Sequence, residues 1–487
     1  MWPFRRKPVI SIDDYRRKLG EYGSAIKARY DAAATNRHNQ LHWLNADGLA
    51  ADAANSPEIR RLLRERVRYE VENNSYAKGM TTELVNAVIG RGPRLQFQLP
   101  DQRANSIIEA EFASWARKVK LAKKLRIMRR TRATQGEMFI MLTTNPRLDH
   151  KVKLDLRLIE PAQVATPDLD SFDERAIDGM RFDEHGNVTE YHVLKAHPGD
   201  ARNPWKSLDC DVVPAENMVH YFGQDRAGQH RGVPDFVPAA SIFAETRRFS
   251  SAVIAAAETA AEYSAIMKTD IPAGSEADSV DKGVIMDIEK RSLVFAPAGW
   301  EPSQLKAEQP STKYNEFVDE KMGEAGRSVN MPRTVATGNT NNSSYASSRM
   351  DFRSFYTNVR TEQEDIASDV LDSILRAFLL EAVLLSETRL AMPARKALAD
   401  DAHIWFFEGI EDVDQVKDAT ARDLNLKNHT TTLALEWARR GYDWETQLRQ
   451  RAKEIGLMEE LGLPMAEAML TPMAPETDDE EAEVDDE

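Results

Sequence analysis

The sequence predicts an α+β protein of several domains, in which an antiparallel β-rich region is followed by long helices. Three observations support this prediction. The chain has 487 residues, which allows about three domains at roughly 100 to 200 residues each. Runs with a hydrophobic period of two concentrate between Gly136 and Val219, and long helical patterns follow Gly232. Hydrophobic residues make up 42% and charged residues 29%, which excludes wholesale disorder and a fibrous chain.

The charge is unevenly distributed. Lys and Arg number 64 and Asp and Glu number 79, so the net charge is −15, and nine acidic residues lie within 476–487. Such a run repels itself and indicates a solvated tail. An acidic chain is a poor candidate for tight nonspecific DNA binding, because Lys and Arg contacts to phosphates supply most of that affinity. The single cysteine, Cys210, cannot form an internal disulfide, which fits a reducing cytoplasm.

Helical signals open the folded part of the chain. Ser56-Pro57-Glu58 combines a capping Ser with Pro at the first helical position, and Asn73-Asn74 interrupts the helix that follows. A second helix is predicted from about Ser75 to Val88. Gly90-Arg91-Gly92-Pro93 then turns the chain into a strand through Leu95, Phe97 and Leu99.

A basic stretch follows a predicted helix from Ile107 to Val119. It contains nine bases between Arg117 and Arg132 and allows two interpretations. It is either a phosphate-contacting face or a solvated helix whose long basic side chains cover the rim of the core. The second interpretation buries Val119, Leu121, Leu125 and Met128.

Alternating apolar residues predict antiparallel strands between Gly136 and Val219. The clearest runs are Met138–Leu142, Val152–Leu158 and Tyr191–Leu194, separated by turn residues at Asn145-Pro146 and His185–Asn187. We therefore expect a β-rich domain.

A long alanine-rich helix is predicted from Gly232-Val233-Pro234 to about Lys268. Ten of the 27 residues from Ala239 to Ala265 are alanine, which favours helix and allows close helix approach. Either this helix packs beside copies of itself or it is simply exposed to solvent. Ile271-Pro272 ends it.

A small module and a second set of helices follow. Two apolar runs flank Glu289-Lys290-Arg291, which indicates a hairpin, and a helix is predicted from Thr312 to about Arg327. A loop rich in Gly, Asn, Ser and Thr extends to Ser344. A long helix with one apolar stripe is predicted from Tyr345 to about Leu390, followed by shorter helices to about Ala468.

Catalytic signatures are absent from the sequence. It contains no Gly-x-x-x-x-Gly-Lys-Ser/Thr phosphate loop and no His-Glu-x-x-His pair, and one cysteine cannot supply a thiolate zinc site. Ser303 and Lys306 have the Ser-x-x-Lys spacing without its companion motifs. We therefore expect a protein that is not an enzyme, with no catalytic residue, no metal site and no cofactor.

The order and spacing of several segments resemble the lambda-type portal proteins of tailed bacteriophages. Val213–His220 and Gly228–Pro234 are the most specific segments. The others are Arg64–Tyr69, Asn73-Asn74, Val88–Gly92, Gln135–Phe139 and Asn342–Arg349.

The resemblance implies a portal fold with a β-rich wing, long stem helices, a small α/β clip and a helical C-terminal crown. Its implied divisions are an N-terminal extension (1–55), wing (56–237), first stem helix (238–268), clip (269–311), second stem helix (312–327), tunnel loop (328–344), long wing helix (345–392), crown-like helical region (393–470) and acidic tail (471–487).

The resemblance also implies a function. Such proteins form a ring homo-oligomer, typically a dodecamer, at a unique capsid vertex, through which double-stranded DNA is packaged and ejected. The implied partners are the terminase large subunit, the major capsid or scaffolding protein and a head-tail connector protein. No membrane partner is expected, and the implied location is the virion, after assembly in the bacterial host cytoplasm.

Two groups of site residues follow from the resemblance. The tunnel loop (328–344), which would line the channel and is therefore also called the channel loop, would present Asn330, Arg333, Thr337, Asn339, Asn341 and Asn342. Arg333 is expected to be an isolated attractive contact for DNA or to pair with an acid of a neighbouring subunit. Glu289, Lys290 and Arg291 would face a partner from the clip, or form a plain solvated turn.

Two other classes of protein remain as alternatives. One is a nucleic-acid-binding protein that uses the basic stretch 117–132, and the other is a hydrolase with an unrecognised carboxylate site.

Overall fold

A computed structural model describes most of the chain, and the chain divides into two units, Met1–Ala54 and Asn55–Glu487. The first unit contains the short helix α1 (Ala51–Ala54) among its described residues. The predicted clip residues Glu289–Arg291 and the acidic tail lie outside the described residues. These are 37, 40–166, 175–202, 209–262, 266–269, 300–303, 313–340, 345–385, 389–400, 402–408, 415–440, 442 and 444–462.

The first helices of the second unit agree with the sequence prediction. α2 (Pro57–Asn73) begins after Ser56, whose side chain caps it. Asn74 separates it from α3 (Ser75–Val88) and caps that helix in turn. The glycine turn that follows has φ 52° at Gly90 and 106° at Gly92, and it leads into β1 (Arg94–Phe97).

Two helices carry the basic stretch. α4 (Gln102–Lys118) and α5 (Leu121–Gln135) are separated by Lys120, which has a left-handed backbone with φ 56°. The four apolar side chains assigned to the core are all buried, which confirms that part of the solvated-helix interpretation. They are Val119, Leu121, Leu125 and Met128.

Two antiparallel sheets form the β-rich region, as predicted. Their strands are β2 (Glu137–Thr144), β3 (Leu154–Ile159), β4 (Ala176–Ile177), β5 (Met180–Phe182), β6 (Val188–Leu194), β7 (Cys210–Pro214) and β8 (Met218–Phe222). The three-stranded sheet has the order β3-β2-β8 and the four-stranded sheet the order β4-β5-β6-β7.

Strand β2 contributes to two cores through its alternating faces. Phe139 belongs to a small cluster with side chains of the four-stranded sheet, including Tyr191. Met138 and Ile140 point to the other face and belong to the main helical core. The three-stranded sheet therefore lies between the four-stranded sheet and the helices.

The alanine-rich helix α6 (Val237–Glu262) is shorter than the sequence predicts. The expected end near Lys268 is wrong, because β9 (Ile266–Thr269) pairs antiparallel with β10 (Trp300–Ser303). Hydrogen bonding to a strand distant in sequence overrides the local helical preference there.

The second helix of this pair is confirmed, as α7 (Tyr314–Gly326). The segment after it is not irregular throughout, because Arg333–Thr337 forms the short helix α8. The expectation of a continuous loop over the region is therefore wrong. The physical reason is that Met331 and Ala336 are apolar and become buried, which fixes the backbone around them.

The long helical stretch consists of α9 (Tyr345–Ile366), a π-helical turn (Ala367–Leu371) and α10 (Asp372–Leu384). It ends at Leu384, earlier than the predicted Leu390. The apolar stripe is confirmed, since five of its members are almost completely buried. They are Phe355, Val359, Ile366, Val370 and Ile374.

The C-terminal region is not purely helical, which corrects the expectation for 393–470. Strand β11 (His403–Phe406) pairs antiparallel with β1, more than 300 residues earlier. The helices of this region are α11 (Ala391–Asp400), α12 (Gln415–Lys427), α13 (Leu433–Arg439) and α14 (Trp444–Glu460).

Among the described residues, none of the helices is both long enough and apolar enough to span a bilayer.

Candidate functional site

The segment predicted to be the channel loop reverses direction directly after α7. Asn330 has φ 53° in the left-handed region, which Asn tolerates better than most residues. The short helix α8 follows and ends at Gly338, which has φ 67°. The turn and its short helix therefore fold back beside α7.

Apolar contacts hold this segment against α7. The exposed fractions of Met331 and Ala336 are 4% and 3%. A Cβ on Gly326 would lie 2.6 Å from the Cβ of Ala336, so the close approach of α8 requires glycine at the end of α7. The base of the candidate loop is thus part of the core.

Polar contacts join the same two helices. Nη1 of Arg333 lies 2.8 Å from Oε2 of Glu320. The side-chain amide of Asn339 donates to Oδ2 of Asp319, also at 2.8 Å. Oγ1 of Thr337 donates to the carbonyl oxygen of Arg333 at 2.9 Å.

These contacts involve three predicted site residues, Arg333, Thr337 and Asn339, while Asn330 forms the turn before them and Asn341 and Asn342 lie outside the described residues. Arg333 is not isolated, because it pairs with an acid of its own chain. Both partners of that pair remain more than half exposed, at 55% for Arg333 and 72% for Glu320. The pair can therefore open without leaving a buried charge.

Helices α6 and α7 pack against each other through aromatic rings. The ring of Phe249 lies 5.9 Å from that of Tyr314, nearly parallel, and 4.7 Å from that of Phe317. The hydroxyl groups of Ser250 and Tyr314 are hydrogen bonded at 2.8 Å.

The part of α6 beyond this contact presents small exposed side chains. Ala252, Ala255 and Ala257 are exposed, and Ile254 is 59% exposed. The single chain therefore leaves both interpretations of the alanine-rich helix open.

A buried carboxylate lies where the sheets meet the segment leading into α6. Glu137 accepts hydrogen bonds from Nε of Arg231 at 2.9 and 3.0 Å and from the backbone N–H of Gly232 at 2.9 Å. His220 and Arg64 also donate to it. Burial alone would raise the pKa of Glu137, but Arg231, His220 and Arg64 hold it well below its usual value.

A second buried group links α5 to the long helix. The carboxylate of Glu362 pairs with Arg129 and accepts a hydrogen bond from the hydroxyl of Tyr221 at 2.6 Å. Arg129 also contacts Asp235 at 2.7 Å. Burial alone would lower the pKa of Arg129, but Glu362 and Asp235 outweigh it, and the pKa lies above its usual value.

The second buried group determines the role of one cation of the basic stretch. Arg129 is 3% exposed, so it is internal rather than available to phosphates, whereas Lys124 is half-buried and pairs with Asp155. The solvated-helix interpretation is therefore wrong for Arg129, because acids from other elements enclose it. Arg117, Lys120 and Lys123 remain exposed.

No hydrolytic centre is assembled by the carboxylates of these groups. Glu137 and Asp235 are saturated by arginines, which keep their pKa values below the usual range against the effect of burial. A permanently ionised and fully paired carboxylate is a poor general base. The described residues also contain no cluster of three or more His, Cys, Asp or Glu side chains that could hold a metal ion.

Sequence reasoning did not predict either group. Gln135–Phe139 and Gly228–Pro234 were recognised as segments of a resemblance, and they contain Glu137 and Arg231. Their contact spans 94 residues, so no local spacing could reveal it. The available signal was a charged residue at the start of a largely apolar strand.

A match to a known family assigns the chain to a class of phage proteins. The family described as phage portal protein, lambda family, matches residues 37–363 of this chain, which is more than half of it. The chain belongs to the lambda family of phage portal proteins.

Relatives agree with this assignment. The chain is 24% identical over 430 residues to a probable portal protein of Halomonas phage phiHAP-1, covering 82% of this chain and 81% of that protein.

Among solved structures, the chain is similar to one from the neck of an empty gene transfer agent particle. The identity is 11%, the coverage 76% of this chain and 90% of that chain, and the TM-score 0.46. It is also similar to an HK97-family phage portal protein from Corynebacterium diphtheriae. There the identity is 12%, the coverage 69% and 92%, and the TM-score 0.28.

Proposed function

We propose that this chain is the portal subunit of a phage particle, and that copies of it close into a ring that guides double-stranded DNA during packaging and ejection. The observation that carries the proposal is the family match over residues 37–363. A protein with this role makes and breaks no covalent bonds itself. The full pairing of the Glu137 and Asp235 carboxylates with arginines is consistent with such a role.

The ring requires a surface that copies can share. The exposed small side chains of α6, around Ile254, suit close packing between helices because they allow two backbones to approach. We assign α6 and α7 to the stem of the ring. Residues 56–237 would form the wing, with a clip between the two stem helices and a crown formed by 393–470.

The channel would be lined near α8. A conduit for DNA must avoid many stable phosphate contacts, because each one strengthens binding and retards sliding. The Arg333–Glu320 pair fits this need, since its net charge is zero and a passing phosphate has to compete with Glu320 for the guanidinium. Asn339 is similarly engaged by Asp319. Asn330 and Thr337, with Asn341 and Asn342, complete the proposed loop.

The proposed partners follow from the position of the clip. Glu289, Lys290 and Arg291 would face the terminase large subunit during packaging and a head-tail connector protein afterwards. The major capsid or scaffolding protein would surround the wing. The ring is proposed to be a dodecamer located at the portal vertex of the virion.

Negative-stain electron microscopy of the purified full-length protein tests the proposal. We expect rings with a central hole wide enough for a DNA duplex. A protein that remains a monomer at all concentrations, also with capsid and scaffolding protein present, would contradict it.

A further inference from the structure

A cleft of about 440 Å³ lies between α3, α8 and α9, and it has no role in the function proposed above. Its size is within the range of small-ligand sites in proteins, which is roughly 300 to 1,000 Å³. Its lining combines three aromatic rings with two carboxylates. They are Phe352, Phe355, Tyr356, Glu83 and Glu408.

The aromatic side is formed by one turn of α9. The rings of Phe352 and Tyr356 are nearly parallel with centroids 6.0 Å apart, and the ring of Phe355 lies 5.3 Å from that of Tyr356. Phe352 and Tyr356 are only half-buried. These two aromatic side chains therefore remain accessible from the cleft.

The two carboxylates differ in how their charge is satisfied. Glu408 pairs with Nε of Arg91 at 3.1 Å and accepts a hydrogen bond from the backbone N–H of Arg91 at 3.2 Å. Glu83 is exposed and has no basic side chain within ion-pair distance among the described residues. The pKa of Tyr356 is raised, first by burial and then by the negative charge of Glu83.

The backbone adds to this negative character. Helix α3 ends at Val88, and Ala87 in its last turn lines the cleft. The C-terminal end of a helix carries a partial negative charge. The side-chain amide of Gln363 donates to the carbonyl oxygens of Ala87 and Val88, so the main unpaired negative charge beside the accessible aromatic rings is that of Glu83.

We propose that this cleft binds an organic cation, namely an ammonium or guanidinium group on a short alkyl chain. The cationic head would pair with Glu83, and the chain would lie against Phe352 and Tyr356. Aromatic rings attract cations through their quadrupole, and a carboxylate provides a charge-assisted hydrogen bond. A neutral ligand of the same shape can form neither the cation–π contact nor the ion pair.

The position of the cleft gives such binding a structural effect. Val335 of α8 and Phe355 of α9 both form part of its wall. A bound cation would therefore hold the short helix against the long one and stabilise the folded chain in proportion to ligand concentration.

Isothermal titration calorimetry of the full-length protein tests the proposal with three probes: 1,4-diaminobutane, n-butylguanidinium and the neutral isostere 1-pentanol. We expect saturable binding of the two cations and at least tenfold weaker binding of 1-pentanol. Glu83→Gln and Phe352→Leu should each weaken cation binding about tenfold or more. The matched control is Glu72→Gln, an exposed carboxylate on α2, which should bind like the wild type.

The cation in the cleft is either a free amine or a basic side chain of a second copy of this chain. Titrating the dissociated and the assembled protein distinguishes these two sources. Binding in both states identifies a free cation, whereas binding in the dissociated protein alone identifies a neighbour's side chain. The proposal is overturned if no cation binds in either state, if Glu83→Gln binds as tightly as the wild type, or if 1-pentanol binds as tightly as the cations.

Discussion

Gly136 and Gly232 approach each other so closely that neither position can carry a side chain. A Cβ on Gly232 would lie 2.2 Å from the carbonyl oxygen of Gly136, and a Cβ on Gly136 would lie 2.6 Å from that of Gly232. Gly136 also has φ 95°. This contact brings the start of β2 against the segment that enters α6, and it places Glu137 within reach of Arg231.

Substituting alanine for Gly232 should destabilise the chain by about 2 kcal/mol or more, because the clash is with backbone atoms that cannot rotate away. Urea denaturation of the full-length protein measures this change. Gly79→Ala is the control: it is exposed in α3 and its Cβ would meet nothing within 4 Å. That variant should be more stable than the wild type by about 0.5–1 kcal/mol. Equal stability of Gly232→Ala and wild type would contradict the contact.

Glu137→Gln should cost about 3 kcal/mol, because it leaves the buried guanidinium of Arg231 with Asp178 as its one remaining carboxylate partner among the described residues. The substitution keeps the shape of the side chain, so lost charge rather than lost volume is tested. Chemical denaturation at pH 7 provides the measurement, and a cost below about 1 kcal/mol would show that the ion pair is not buried.

The same carboxylate predicts a pH dependence of stability. The pKa of Glu137 is held well below its usual value in the folded chain, whereas an unfolded Glu titrates near pH 4.3. The unfolded chain therefore takes up the proton first as the pH falls. The contribution of Glu137 to the free energy of unfolding is present in full above about pH 5 and decreases below that, by up to about 1.4 kcal/mol per pH unit. Denaturation of the wild type and of Glu137→Gln is therefore compared between about pH 4 and pH 3. Over this range the free energy of unfolding should fall less steeply with pH in the variant, by up to about 1.4 kcal/mol per pH unit.

Arg129→Gln should destabilise the protein by about 3 kcal/mol, since Glu362 and Asp235 lose their most buried partner and keep the partly exposed Arg132. Lys123→Gln changes an exposed cation of the same basic stretch and should leave the denaturation midpoint unchanged. If this stretch were a DNA-binding face, Lys123→Gln would instead lower the DNA affinity of the dissociated chain at low salt. Fluorescence anisotropy with a labelled duplex checks that outcome.

Local signals predicted most of the helices and the strands β1, β2, β3 and β6, because their causes lie within a few residues. Ser56 and Asn74 cap α2 and α3 at the expected positions, since a capping side chain satisfies donors in the next turn. The stripe through Phe355 and Ile374 predicted the buried face of the long helix, because its period matches the helical repeat.

Contacts between distant segments account for what the sequence did not reveal. β11 is a strand because it pairs with β1, and no property of His403–Phe406 alone requires that. Arg129 resembles any other cation of its stretch until Asp235 and Glu362 are brought to it from far along the chain. The channel loop was expected to be irregular because its polar composition hides the two core residues Met331 and Ala336.

Replacing Ile254 by Asp should prevent ring formation without unfolding the chain. Its side chain is 59% exposed in the single chain, so a charge there is solvated in the monomer but desolvated between packed helices. Size-exclusion chromatography with light scattering should show a monomer where the wild type forms a large oligomer. Ser251→Asp is the control for added charge on an adjacent exposed position. Rings formed by Ile254→Asp would exclude this part of α6 from the interface.

Arg333 and Glu320 should have opposite effects on DNA when each is neutralised. Arg333→Gln leaves an unpaired carboxylate in every subunit, so a ring would repel phosphates more strongly, whereas Glu320→Gln releases the guanidinium to bind them. Because both side chains are more than half exposed, neither change should disturb folding or assembly noticeably.

In an in vitro packaging reaction, nuclease-protected DNA should be retained less well by capsids with Arg333→Gln. DNA affinity of the isolated ring should rise in Glu320→Gln and fall more steeply with salt. If both variants retained and bound DNA like the wild type, this pair would not face the duplex, and the channel surface would have to be sought elsewhere on the chain.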